Sequence, residues 1–216
     1  MLPLIGIGRL IGRFTPYKKR YRSICFFSFY HIGGAEKVHA QITQATGGPD
    51  QLIYFTRRPD NDLFLAQFRA SGSTIRDIAR FTDNKWLYPV NIIMRGIVSG
   101  RINALLNRPV VFNGQNNFGY KISPWLDKNI RQVELIHSFN TFSWIRLPFL
   151  PFIAATVMIA RQRIQNHLAQ YRRVGVPASF DNRIGYIGNA ITLPAAIPER
   201  AKNIAMMPVS STPDAI

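Results

Sequence analysis

Short apolar runs alternate with helix-patterned segments along most of this chain, and that alternation restricts its fold more than any other feature. Ser23 to Phe29 (SICFFSF) is apolar enough for a buried strand. Ala35 to Ala45 follows with Val38, Ile42 and Ala45 on one helical face, and Gly47-Gly48-Pro49-Asp50 ends it. The same order repeats: strands at Gln51–Phe55, Ser73–Ile78, Val110–Phe112, Gln132–Ile136, Ile153–Ile159 and Arg183–Ile187, and helices at Asp62–Ala70, Asn91–Leu106 and Ala160–Val174. Strands separated by helices form βαβ units. The expected fold is therefore α/β, a Rossmann-like parallel sheet with helices on both faces. Ligands of such sheets bind at the carboxyl ends of strands, which directs attention to the loops after Phe29, Phe112, Ile136 and Ile187.

Charge narrows the partners. The 216 residues carry 27 Lys+Arg against 11 Asp+Glu, a net charge of +16. Such a surface favours polyanions: nucleic acid, anionic lipid headgroups, or nucleotide and sugar phosphates. Residues 1–23 hold six basic residues and no acid, mixed with Leu2, Leu4, Ile5, Ile7, Leu10, Ile11 and Phe14, a combination suited to a membrane surface. This segment, 1–22, reads as a basic amphipathic leader. Residues 23–191 read as the domain, and 192–216, rich in Ala, Pro, Ser and Thr, as a linker or the truncated start of a further domain. The single cysteine, Cys25, excludes an internal disulfide framework and a cysteine-based zinc site. His31, His39, His137 and His167 lack metal-ligand spacing, so no metal is expected, and His39 and His167 read as helix-surface residues. No apolar run is long enough to span a bilayer.

Three loops carry residues suited to chemistry. Gly33-Gly34, between a strand and a helix, lets a phosphate approach the backbone at a helix N-terminus. Asn113-Gly114-Gln115-Asn116-Asn117 offers amide donors and acceptors of the kind that sugar hydroxyls require, and equally the left-handed conformations of an ordinary turn. His137, leaving a buried strand just before Ser138-Phe139-Asn140, is placed to donate a hydrogen bond or take a proton. Arg146 nearby reads as a solvated charge or a phosphate partner. Gly6-Ile7-Gly8-Arg9-Leu10-Ile11-Gly12 imitates a dinucleotide fingerprint, but no strand precedes it, and Pro16 is expected to stop a full helix from forming.

Taken in order, four stretches resemble the N-terminal, acceptor-side half of GT-B glycosyltransferases of the large retaining family known as family 4 or group 1. They are Phe29-Tyr30-His31-Ile32-Gly33-Gly34-Ala35-Glu36, then Val133-Glu134-Leu135-Ile136-His137-Ser138, then Val157 to Tyr171 with Gly175-Val176-Pro177, and finally Tyr186-Ile187-Gly188-Asn189-Ala190-Ile191. The resemblance implies one GT-B half domain. In it Gly33 and Gly34 face the donor diphosphate and His137 serves as the catalytic-cleft histidine, while Gln115, Asn116, Asn117 and Asn140 are, by their amide chemistry, the residues expected to contact the sugar or acceptor. It implies a nucleotide-diphospho-sugar as co-substrate, with no other cofactor, and a glycan or lipid-linked acceptor in cell-surface polysaccharide synthesis. The family's basic pair and Glu-x7-Glu pattern have no counterpart here, and Thr192 stands where the family often has Asp. The expectation is a transferase half with little activity unless joined by a separate C-terminal donor-binding domain. Its expected place is cytoplasmic, peripheral on the inner membrane face. The alternative is a non-catalytic binder of nucleic acid or anionic membrane. Nucleic acid is the weaker partner, because the aromatics sit in apolar runs rather than among the basic residues.

Overall fold

A computed structural model describes residues 1–31, 33–139 and 141–188, without the side chains of 141 and 142. Seven strands, β1 (Ser23–Phe27), β2 (Gln51–Phe55), β3 (Thr74–Asp77), β4 (Val110–Asn113), β5 (Gln132–Ile136), β6 (Ala155–Met158) and β7 (Ile184–Tyr186), form one sheet. Every pairing is parallel, in the order β3-β2-β1-β4-β5-β6-β7. The helices are α1 (Leu2–Phe14), α2 (Gly34–Thr46), α3 (Leu65–Ala70), α4 (Ala79–Thr82), α5 (Tyr88–Asn103), α6 (Asn117–Ile122), α7 (Thr141–Ile145) and α8 (Arg161–Arg173), with short 3-10 turns between some of them. The fold is the expected Rossmann-like parallel α/β sheet with helices on both faces.

Strand alternation builds the two cores. Successive side chains point to opposite faces of a sheet. Ile24 and Phe26 of β1 join Leu52 and Tyr54 of β2 against Val98 and Ile102 of α5 and Phe118 and Ile122 of α6. Cys25 and Phe27 join Ile53 and Phe55 against Ala40 of α2 and Phe68 of α3. Burial of each large apolar side chain contributes roughly 1.5–3 kcal/mol. Cys25 is part of this packing, and burial pushes its thiol up to about 12.

The N-terminal segment departs from expectation. Gly6 to Gly12 lies inside a 13-residue helix, and Pro16 falls beyond the helix end at Thr15. Within residues 1–22, α1 packs along α5 through a seam of glycines. A Cβ on Gly8 would meet the Ile93 carbonyl and stand 2.9 Å from the Gly96 Cα. One on Gly12 would strike the Ile97 carbonyl, and one on Gly100 would lie 2.5 Å from the Arg9 carbonyl oxygen. Two helices cross at backbone contact only where both lack side chains. Arg101 then fastens the end of α1, its Nε donating to the Thr15 carbonyl at 2.9 Å.

A buried ion pair fixes the far side of β5. Glu134 and Arg146 are both fully buried. Arg146 Nε donates to both carboxylate oxygens at 3.1 Å, Thr156 donates at 2.6 Å and Tyr120 at 2.7 Å. Burial pushes the Glu134 carboxyl up, but the Arg146 charge and these hydrogen bonds outweigh it and hold the group below its usual range. Arg146 is therefore neither a solvated charge nor a phosphate partner. His39 and His167, expected on helix surfaces, are also buried, because their helix faces turn toward Phe27 and Phe139 respectively.

Two substitutions test this architecture. Gly96→Val should destabilise the chain by at least about 1–3 kcal/mol, because neither backbone can retreat without losing the seam. Glu134→Gln should destabilise it by about 3–5 kcal/mol, because Arg146 would keep its charge with no counter-charge. Both are read by urea unfolding. A wild-type midpoint for either variant would contradict the packing described.

Candidate functional site

The chain runs β1, β2, β3 in one direction across the sheet, then returns to place β4 on the other side of β1. Loops leaving β1 and β4 therefore diverge, and a crevice opens at their carboxyl ends. Asn116 holds this point together. It is buried, and its Nδ2 donates to Thr56 Oγ1 at 2.6 Å and to Ser28 Oγ at 3.3 Å, tying the ends of β2 and β1 to the β4 loop. Its Oδ1 accepts from the Gly119 amide at 2.9 Å and so caps α6. Asn113 completes the knot, its Oδ1 accepting from the Asn116 amide at 2.6 Å.

Gln115 stands in the left-handed region at φ +53 and latches the β4 loop to the end of β5. Its Oε1 accepts from the His137 amide at 3.1 Å, and its Nε2 donates to the Ser138 carbonyl at 3.3 Å. The side-chain amides of Gln115 and Asn116 are thus occupied within the fold. Asn117 differs: it lines the crevice, and its Oδ1 is shut from solvent without a hydrogen-bond donor. Asn140 lies outside the described residues.

His137 sits at the carboxyl end of β5, as its sequence position requires, but it is paired. Its Nε2 lies 2.8 Å from Nε2 of His39, which comes from α2 and stacks on Phe27. Gly114 makes room, since a Cβ there would lie 2.5 Å from His39 Nε2. Burial lowers His137 to about 4, while burial and His137 hold His39 well below its usual value. Both rings are neutral at neutral pH. The sealed Nδ1 of His39 has no partner. A buried orphan N–H is rarer than a buried orphan lone pair. His39 therefore donates from Nε2, and His137 accepts there and carries its proton on Nδ1. That neutral donor suits orientation or polarisation of a ligand oxygen better than proton abstraction.

Gly33 and Gly34 begin α2 after β1, with Gly33 as its N-cap. The Glu36 carboxylate folds back into the space a Gly33 side chain would fill. A carboxylate at a helix N-terminus is favourable, and it occupies the place expected for a diphosphate.

Two residues of the crevice, Arg95 and Lys121, escape a reading of the sequence. They line it together with Ser28, Thr56, Asn116 and Asn117. Arg95 lies in α5, whose helical pattern hides a buried cation. The available signal is a basic residue on a face that also carries Ile92, Ser99 and Ile102. Among the described residues no group of three His, Cys, Asp or Glu side chains is placed to hold a metal ion, and no helix is long and apolar enough to cross a membrane. Compared with family models, curated proteins and solved structures, the chain matches none.

The histidine pair makes stability depend on pH. Both folded-state values are depressed, so the unfolded chain binds protons first as pH falls. The contribution is intact above about pH 6.5 and is lost as pH drops toward 4. His137 alone should remove roughly 2 kcal/mol between about pH 7 and pH 5. Urea unfolding at the two values measures it, and His137→Gln should flatten the difference. An equal loss in the variant would contradict the pairing.

Proposed function

We propose that this chain is the acceptor-side domain of a two-domain sugar transferase that works at an anionic membrane surface. The observation that carries the reading is the placement of His137. A neutral ring leaves the carboxyl end of a central parallel strand, at the same edge of the sheet as the polar crevice but on the α2 side of it. Sugar transfer needs donors that orient hydroxyls and charge that meets phosphates. Asn117, Ser28 and Thr56 supply the first, and Arg95 and Lys121 the second. A nucleotide-diphospho-sugar would be the co-substrate and a glycan or lipid-linked glycan the acceptor. The donor's diphosphate would reach the Gly33–Gly34 turn only as Glu36 swings away. A separate donor-binding domain would complete the cleft.

The membrane part rests on α1. Its glycine seam faces α5, so Ile7, Leu10 and Phe14 fall on the opposite side of the helix. Leu10 is 58% and Phe14 76% exposed. Arg9 and Arg13 flank this face, and Lys18, Lys19, Arg20 and Arg22 follow directly. An apolar stripe edged by cations fits an anionic lipid surface, with rings and aliphatic chains below the headgroups and the cations among them.

Two measurements test the reading. Vesicles with anionic lipid should sediment the chain, neutral vesicles should not, and Leu10→Glu with Phe14→Glu should abolish sedimentation without unfolding. Calorimetric titration with a panel of nucleotide-diphospho-sugars and glycan acceptors should show saturable binding that His137→Gln weakens. Salt-sensitive binding to random duplex DNA, with no vesicle or sugar-ligand binding, would overturn the proposal in favour of a polyanion binder.

A further inference from the structure

The crevice at the ends of β1, β2 and β4 encloses about 370 Å³, within the range of small-molecule sites. Its cations outnumber its acid, with Arg57, Lys85, Arg95 and Lys121 against Asp83. Arg95 is only 6% exposed and held rigidly. Its Nε donates to Asn91 Oδ1 at 2.9 Å, Asn91 Nδ2 donates to the Thr82 carbonyl at 2.8 Å, and the guanidinium lies 5.6 Å from the Tyr88 ring centre. Lys121, half-buried on α6, is close enough that burial and the Arg95 charge lower its ammonium below the usual value. Among the described residues neither cation takes part in an ion pair. Asp83 is the acid at the rim. It is already taken up by Arg57 Nε at 3.3 Å and by the Arg58 amide at 3.0 Å.

Two like charges brought together away from water are costly unless an anion meets them. Two positive charges match a phosphate monoester dianion, and guanidinium and ammonium are its usual partners. The remaining lining specifies what the phosphate is attached to. Asn117 lines the crevice and its Oδ1 has no donor within the fold, so a turn of the side chain into the crevice brings it to a ligand hydroxyl. Ser28 and Thr56 both accept from Asn116, which leaves their hydroxyl protons to donate.

We propose that this crevice is a binding site for a small hydroxylated phosphate ester, its phosphate held by Arg95 and Lys121 and a hydroxyl by Asn117. The site does not depend on the transferase reading, since any chemistry acting on such an ester could use it. The phosphate belongs either to a free ester or to a lipid headgroup.

The test is calorimetric titration of the full chain with glycerol 3-phosphate and with inorganic phosphate, beside sedimentation on vesicles containing phosphatidic acid. One saturable site per chain is expected for glycerol 3-phosphate, tighter than for inorganic phosphate. Lys121→Gln should weaken it at least about tenfold, Asn117→Leu should erase the advantage over inorganic phosphate, and Lys128→Gln should change neither. Vesicle binding that falls in Lys121→Gln would assign the phosphate to a lipid headgroup. Vesicle binding indifferent to it, with the free ester bound, would assign a soluble ester. Arg95→Met risks the fold, so Lys121→Gln carries the decision. With ligand absent, that variant should also melt higher than wild type, because the repulsion is relieved. Absence of saturable binding by any of the three probes, or equal affinity in wild type and Lys121→Gln, would overturn the proposal.

Discussion

One buried amide holds the working edge of this protein together. Asn116 ties the ends of β1, β2 and β4 and caps α6 with four hydrogen-bonding partners from three segments. Without it, Ser28, Thr56 and the α6 N-terminus would lose their mutual placement at the point where the chain reverses across the sheet. Losing one partner of a buried hydrogen bond costs about 1–3 kcal/mol, because the other group stays buried and unsatisfied. The crevice exists because the strand order forces two loops apart, and it keeps one shape because Asn116 spans them.

The molecule treats buried charge in two ways. At Glu134 and Arg146 each charge is answered within the fold, with Thr156 and Tyr120 filling the remaining carboxylate sites. That cluster bridges β5 and β6, although Arg146 Nη1 is itself buried without a partner. Arg95 and Lys121 are left unanswered beside an open cavity. A satisfied buried charge is a structural element, and an unsatisfied one beside a cavity points to a ligand. The same contrast separates Asn116, whose amide is fully used, from Asn117, whose oxygen is not.

The sheet is legible in the sequence because buried parallel strands are written as continuous apolar runs. Gln51–Phe55 and Gln132–Ile136 are found where those runs stand. Helix α1 is not legible, because a helix that crosses another at backbone contact must be rich in glycine, which by propensity alone argues against a helix. His137 is visible as a residue leaving a buried strand. His39 is not, because a partner 98 residues away leaves no local trace. Arg146 looks like a surface charge because its counter-ion lies on a strand, and ion pairing across elements has no sequence period. Gln115 and Asn116 stand out by their chemistry, but composition does not tell an amide that binds a ligand from one that binds the protein.

If the crevice at the carboxyl ends of β1, β2 and β4 receives a phosphorylated, hydroxyl-bearing ligand, that ligand must perturb the groups that line it. Amide and side-chain chemical-shift mapping of the isotopically labelled chain, titrated with a sugar phosphate, measures this residue by residue. Saturable shifts are expected, confined to Ser28, Thr56, Asn117, Lys121 and the Arg95 side chain. Shifts scattered over the basic N-terminal helix, or confined to the opposite edge of the sheet, would contradict a ligand site at this edge.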